Sequence, residues 1–399
     1  MSKVAGSGST DARATLFSTM LREARFRVVK FIGRILTPFM RTLDPREQPL
    51  PGQVRLLPAR SLEIDLSKLV FVGRKPAWME HPRFNLQAAF QVELRDAEMI
   101  GKGVVITHSG EVILESTLFR RSYFRRSHVE HLILGRRWLA PDHFDKVIPL
   151  TNYLDLNYFH WTLEALGRLA FAEEQLVKDG WKVLIDERSS AYVRSTLAFF
   201  FGLDGSQVLT GHHKRKIMHR CLLVSNPHSA FPVSGGVEVH APEHLRWLNR
   251  RGHERIGGVR AERHNIVITR KQQIGRHITN EALLAERFPS LRLRYVALED
   301  LTIAEQVDLF AHAGVIIGVH GAGFTNLVYA KDAAVIEFYP TALPEKNTIY
   351  FTQITAHLGL PHLILSFTGE GIAPHWNHTL SEDDLQRMQQ FLEEYGRLQ

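Results

Sequence analysis

From Lys146 onward the chain alternates short apolar runs with stretches of helical period, and this constrains the fold more than any other feature. A first cycle predicts strands at Val147–Leu150, Val183–Ile185 and Leu222–Val224, with helices from Tyr158 to about Val177 and over Ala191–Phe201. A second predicts strands at Ile266–Thr269, Leu293–Leu298, Val315–Gly318 and Val335–Phe338. Its helices fall over Asn280–Phe288, Ile303–Ala313 and the short Phe324–Tyr329. Strands separated by helices pair in parallel, because only a long crossover returns the chain to the same end of a sheet. At 399 residues the chain has room for two such units. The expected class is α/β, with two Rossmann-like halves.

The flanks read differently. Residues 1–50 form a leader: a polar tip, a helix, then a linker with Pro45 and Pro49. Within 16–40, Phe17, Met20, Leu21, Val28, Phe31, Ile32, Ile35 and Phe39 recur at helical spacing, interleaved with Arg22, Arg25, Arg27, Lys30 and Arg34. Such a basic amphipathic helix fits an anionic membrane surface, and equally a helix packed on the globular body. Residues 51–245 form an N-terminal unit, with a small β-rich element over 87–116. Residues 246–375 form a C-terminal unit. Residues 376–399 form an amphipathic helix with an acidic start at Ser381–Asp384. The stretch from Ser234 to His264, with its glycines and charges, reads as the linker.

The net charge of +7 suits an anionic partner without selecting one. Scattered basic residues and the lack of a reading motif argue against nucleic acid. A single cysteine, Cys221, excludes an internal disulfide and suits a reducing compartment. No signal peptide and no stretch long enough to span a bilayer is visible, so the expected location is cytoplasmic, with peripheral membrane contact through the leader.

Three segments carry candidate chemistry. Gly318-Val319-His320-Gly321-Ala322-Gly323-Phe324-Thr325-Asn326 follows an apolar strand and opens a helix. Glycines permit close backbone approach, and the positive helix end favours an anion such as a diphosphate. The spacing matches neither the dinucleotide fingerprint nor a P-loop, so a tight structural turn remains the alternative. One cycle earlier, Thr269-Arg270-Lys271 follows a strand, with Arg276 nearby. In a parallel sheet the carboxyl ends of the strands share one edge, so Arg270, Lys271 and His320 should meet there. Cations can hold a diphosphate as a metal would. Glu337, at the last strand's end, reads as an acceptor for ribose hydroxyls or as a solvated glutamate. In the third segment, helical spacing puts His160, Glu164 and Arg168 on one stripe. A carboxylate one turn from a histidine raises its basicity, suiting it to deprotonate a sugar hydroxyl, and Asp155 is a rival base. A His–Glu–Arg surface network is the bland alternative. His240-Ala241-Pro242-Glu243-His244 spells a zinc pattern, but Pro242 belongs in a first helical turn and leaves His240 outside. There is no D-x-D pair, so no metal is expected.

Taken in order, Asn157-Tyr158-Phe159-His160-Trp161, Thr269-Arg270-Lys271, Arg276-x-x-x-Asn280-Glu281, Glu305-Gln306, His320-Gly321-Ala322-Gly323-x-x-Asn326 and Val335-Ile336-Glu337 resemble glycosyltransferase family 61 over about Val147 to Pro340. That resemblance implies a GT-B architecture, in which two Rossmann-like domains face a cleft. It also implies inversion at the anomeric carbon and a nucleotide-sugar co-substrate. Carried over, Arg270, Arg276, His320, Gly321 and Asn326 would line the donor site, with His160 opposite. The acceptor would be a glycan or lipid-linked glycan, in capsular or extracellular polysaccharide synthesis at the inner face of a bacterial membrane. A polysaccharide-modifying transferase of another type, such as a pyruvyl transferase, and a non-catalytic glycan- or membrane-binding protein are the rivals.

Overall fold

A computed structural model of the chain describes residues 41–101, 103–117, 140–151, 157–211, 215–226, 238–270, 276–369 and 376–398, together with Phe31. Asp155, Lys271 and all of the leader helix except Phe31 lie outside these residues.

The described chain is mixed α/β and builds two main sheets. The first has nine strands, and its spine runs Thr42–Leu43, Val112–Ile113, Val104–Ile106, Ala89–Ile100, Arg215–Val224, Asp142–Pro149, Lys182–Ile185, Val208–Thr210. Val54–Leu57 also pairs with the Ala89–Ile100 strand. The last four strands of the spine are parallel, as strand–helix alternation requires. The remainder is largely antiparallel, and Arg215–Val224 joins the two halves by pairing along most of Ala89–Ile100. The β-rich element expected over 87–116 is therefore part of this main sheet.

The second sheet has six strands, all parallel, in the order Arg294–Ala297, His264–Thr269, Ala313–Val319, Ala334–Pro340, His362–Phe367, Leu69–Val72. Ala313–Val319 and Ala334–Pro340 are buried at every residue, as expected of strands covered on both faces. The edge strand Leu69–Val72 comes from the segment read as N-terminal, so that segment contributes to both sheets.

Two further sequence expectations change. The presumed linker after Ser234 contains a helix, Pro242–Arg255, which crosses the 245/246 division and buries Leu245, Trp247 and Leu248. Pro242 occupies its first turn, where a missing N–H costs nothing. The chain around Pro45 is packed too. Arg46 donates from Nε to the Ala88 carbonyl at 2.9 Å and pairs with buried Glu115 at 2.7 Å.

One hydrophobic core spans both sheets. Ile148, Trp161, Phe200 and Trp247 pack in the same cluster as Ile266, Ile316, Phe324, Tyr329 and Phe351. A second cluster holds the C-terminal helix Glu382–Glu394 on the six-stranded sheet through Leu385, Met388, Phe391 and Leu392. That helix starts with a capping box between Ser381 and Asp384. Among the described residues no helix is long and apolar enough to cross a membrane.

Candidate active site

The segment after Asn157 is helical but irregular. Asn157 caps Tyr158–His160 by accepting from the Phe159 amide at 2.9 Å, Trp161–Ala165 forms a π turn, and Leu166–Phe171 tightens to a 3-10 helix. Wide turns of this kind recur at functional sites because they re-aim side chains. Here His160 Nδ1 contacts Glu164 Oε1. The His160 side chain is 17% exposed, and that of Glu164 is fully buried. The expected surface stripe through Arg168 is absent. Arg168 points into the interior, donating from Nε to the Glu164 carbonyl at 3.1 Å and to Asn226 Oδ1 at 3.3 Å. The Asn226 amide donates to Glu115 Oε1 at 2.5 Å, so the network runs inward to Glu115 and Arg46.

The sequence did not single out Glu238. It is 4% exposed, and its carboxylate joins His160 and Glu164 in a group whose candidate ligand atoms all lie within 4.8 Å of one another. Such a trio has the chemistry to bind a divalent cation or to share protons. Gln353 holds this segment in place, donating to the Glu238 carbonyl at 3.3 Å and accepting from the His240 amide at 2.7 Å. His240 stays outside the helix that Pro242 opens, with its ring 5.4 Å from that of His244.

The second group lies at the carboxyl ends of the parallel strands. Arg270 leaves the His264–Thr269 strand, and its guanidinium packs on Gly321, just beyond the Ala313–Val319 strand. A Cβ on Gly321 would stand 3.2 Å from Arg270 Cζ and closer still to Nη2. Arg276, in the left-handed region at φ 60°, donates from Nη1 to the His320 carbonyl at 3.2 Å. A non-glycine residue held there marks a backbone fixed by its surroundings. Burial, and then the neighbouring Arg276 charge, lower the Arg270 guanidinium to about 10, while Glu299 acts the other way. Burial also lowers Arg276. Both remain cations at neutral pH, and two half-buried cations in one place favour an anion between them.

His320 is buried at the mouth of this edge, and its Nδ1 contacts Glu337 Oε1. Glu337 sits inside the Ala334–Pro340 strand rather than at its end, and it is fully buried, which overturns the solvated reading and removes it from contact with a ribose. His362 Nε2 approaches its other oxygen at 3.1 Å. The turn after His320 is tight. The Phe324 amide donates to the Gly321 carbonyl at 2.9 Å, so this N–H is not available to a ligand. Ala322 and Gly323 open the short helix Ala322–Tyr329, with Gly323 so close to Leu298 that a Cβ would come within 2.9 Å.

Asn326 is displaced from its expected role. It is fully buried, accepts from Tyr158 Oη at 2.7 Å, and donates to Gln306 Oε1 at 2.9 Å. It therefore ties the His160 segment to the elements around the six-stranded sheet. Glu305 caps its own helix with Thr302, and Asn280 holds Leu380 through both backbone groups, so several of the motif residues are architectural.

The two histidine sites are joined by aromatic rings. Phe159 lies 5.3 Å from the His160 ring and 6.0 Å from Phe351, and Phe351 lies 4.9 Å from His320. A histidine–carboxylate pair thus faces, across two rings, a histidine–arginine group, within the segment where the sequence placed the resemblance.

Residues 158–336 match the family described as Glycosyltransferase 61. The chain thus carries a glycosyltransferase 61 domain. The chain is also similar to protein O-linked-mannose beta-1,4-N-acetylglucosaminyltransferase 2 of Bos taurus, at 33% identity over 133 residues. That alignment covers 32% of this chain and 21% of the relative, so the chain spans about a fifth of the length of the curated protein it matches. The matched family domain begins at Tyr158 and ends at Ile336, and so takes in both the His160 pair and the Arg270–His320 edge.

Proposed function

We propose that the chain is an inverting glycosyltransferase that moves a sugar from a nucleotide-sugar to a hydroxyl of a glycan acceptor without a metal bridge to the diphosphate. The observation that carries this reading is Arg270 packed on Gly321, with Arg276 on the His320 carbonyl, at the carboxyl edge of a parallel sheet. In the proposed reaction the acceptor oxygen forms a bond to the anomeric carbon as the bond from that carbon to the diphosphate oxygen breaks. The departing electron pair stays on the diphosphate, where Arg270, Arg276 and His320 meet its charge. The acceptor proton passes to His160, whose Glu164 partner steadies the resulting imidazolium. Asp155 stands as a rival base.

The same reading takes the two halves as a GT-B pair. It places the reaction in capsular-type polysaccharide synthesis in a reducing compartment, in keeping with the one buried cysteine, Cys221. The similarity to an N-acetylglucosaminyltransferase makes N-acetylglucosamine the first sugar to try on each nucleotide.

A thermal-shift and donor-hydrolysis screen against UDP-, GDP-, CMP- and dTDP-sugars tests the reading, run with and without excess chelator and with Arg270→Ala as control. Stabilisation by one donor class, kept in chelator and lost in the variant, is expected. Loss of binding in chelator would instead assign a cation to the His160–Glu164–Glu238 group. Stabilisation by phosphoenolpyruvate alone would favour the pyruvyl transferase.

A further inference from the structure

The order of the six-stranded sheet reverses beside one strand. His264–Thr269 has the next strand in the chain, Arg294–Ala297, on one side and the one after, Ala313–Val319, on the other. Connections leave such a point in opposite directions, which opens a crevice outside the carboxyl ends of the strands. Arg270 and Gly321 stand just past the two strands that flank the reversal, and they meet there. A diphosphate held at this point sends its nucleoside to one side or the other. On the Ala334–Pro340 side, His320 and Glu337 are buried against each other. On the Arg294–Ala297 side, the strand runs out into an exposed turn.

That turn is Leu298–Asp300. Ala297 pairs directly with Thr269, so the turn leaves the sheet level with Arg270. Leu298 is buried against Gly323, where an added Cβ would stand 2.9 Å from its Cδ1. Gln306 donates to the Leu298 and Leu301 carbonyls at 3.0 and 3.1 Å, and its own oxygen accepts from Asn326. The turn is thus fixed to the Gly321–Gly323 segment. Successive side chains of a 3-10 turn lie a third of a revolution apart. With Leu298 inward, Glu299 and Asp300 face outward in different directions, and both are exposed. Glu299 is the one whose charge acts on the Arg270 guanidinium. Among the described residues its carboxylate has no hydrogen-bond or ion-pair partner. The two oxygens of a carboxylate accept from two neighbouring hydroxyls at once. A ribose presents such a pair, and an acidic residue past the strand beside the phosphate turn suits it. Glu281 also lies at this edge, but its Oε1 accepts from the Thr269 hydroxyl at 3.4 Å.

We propose that Glu299 reads the ribose of the donor. Its carboxylate accepts the 2′- and 3′-hydroxyls of a nucleoside diphosphate whose phosphates lie at Arg270 and Gly321, which selects ribonucleotide donors over 2′-deoxyribonucleotide ones such as dTDP-sugars. The inference rests on the donor-site reading and gives Glu299 the role that buried Glu337 cannot fill. A hydrogen bond to a charged group, made by the 2′-hydroxyl and missing from the deoxy form, corresponds to about 10-fold or more in affinity. A purely structural role for Glu299 would weaken both forms alike and leave their ratio unchanged.

The test is calorimetric titration of the full chain with UDP, GDP and CDP, each against its 2′-deoxy form, and with pyrophosphate. The expected result is a ribo preference of about 10-fold or more for the base that binds. Glu299→Ala should abolish it, by bringing the ribo form down to the deoxy form. Glu299→Gln keeps an acceptor oxygen without the charge and should retain a preference of roughly 3-fold. Pyrophosphate, which has no ribose, should bind Glu299→Ala as tightly as the wild type or more so, because a negative charge has left the site. Thermal melting confirms that the variants are folded. Equal binding of the two forms by the wild type overturns the inference. So does a preference that survives in Glu299→Ala, or one lost in Asp300→Ala or Glu281→Gln instead. Binding of pyrophosphate without any nucleoside diphosphate also overturns it, while leaving the anion site standing. If the wild type binds none of these ligands, the donor-site reading itself fails.

Discussion

Gly321→Ala is the sharpest perturbation of the donor site, because it moves a charge without removing it. Gly321 sits at φ 170°, extended backbone that alanine adopts without strain. Its added methyl would meet Arg270 Cζ at 3.2 Å and Nη2 closer still, inside the 3.4 Å limit of ordinary contact. The fold should survive, since the far end of a flexible side chain gives way. The guanidinium must then retreat by roughly 1 Å, which turns a phosphate hydrogen bond of ~2.8 Å into one too long to count. Losing one hydrogen bond to a charged group costs about 1.5–3 kcal/mol, or roughly 10- to 150-fold in affinity. Titration with the preferred nucleoside diphosphate reads that loss, with Arg270→Ala as the limiting case and thermal melting as the check on folding. If both folded variants bind the diphosphate as the wild type does, Arg270 has no place in the donor site.

Three other outcomes are expected. His160→Ala should lower turnover by on the order of 10²-fold with diphosphate binding kept, in an initial-rate assay paired with titration, and near-normal turnover would pass the base role to Asp155. Asn326→Ala should lose about 1–3 kcal/mol of stability by denaturant unfolding, because it orphans Tyr158 Oη and Gln306 Oε1, with donor affinity changed far less than in Arg270→Ala. His357 is held down to about 4, first by burial and then by the Arg246 charge. Its folded value lies below the unfolded 6.5, so the unfolded chain takes up the proton first, and stability falls as pH drops from 6.5 towards 4. His357→Gln should flatten the melting temperature across that window, and an unchanged slope would refute the assignment.

The strand–helix rhythm was legible because the second sheet is wholly parallel. Its buried strands read as unbroken apolar runs, and helix caps such as Thr302 and Ser381 are local signals. The Arg270–His320 edge followed from the same logic, since parallel strands open at one end. What the sequence hid depends on distant pairing. Leu69–Val72 looks like any short apolar run until His362–Phe367 takes it as a neighbour. Glu337 read as a ribose acceptor or a solvated glutamate because its two histidine partners lie 17 residues before and 25 residues after it. Glu238 lies in a segment rich in glycine and charge, and it is held by groups far away in sequence, Gln353 on a distant helix among them. Asn326 had the residue type and position of a ligand contact, and burial alone reveals it as a strut.

The shared core bears on how catalysis is arranged. Separating the halves would expose Phe159, Phe324 and Phe351, which lie in one cluster with residues of both sheets. Each large aromatic side chain removed from packing costs several kcal/mol, so a wide hinge opening along this seam is disfavoured. The spacing between the His160–Glu164 pair and the Arg270–His320 group is therefore set by two packed rings and by the Tyr158–Asn326–Gln306 bridge. On the proposed reading, a site held in this way would work by preorganisation, with its charges in place before the diphosphate leaves and little reorganisation left for the transition state. The penalty falls on the empty enzyme, where two half-buried arginines must be kept charged side by side. In the proposed function a bound diphosphate would relieve that repulsion, which makes affinity for the donor's charged end the quantity most sensitive to these two residues.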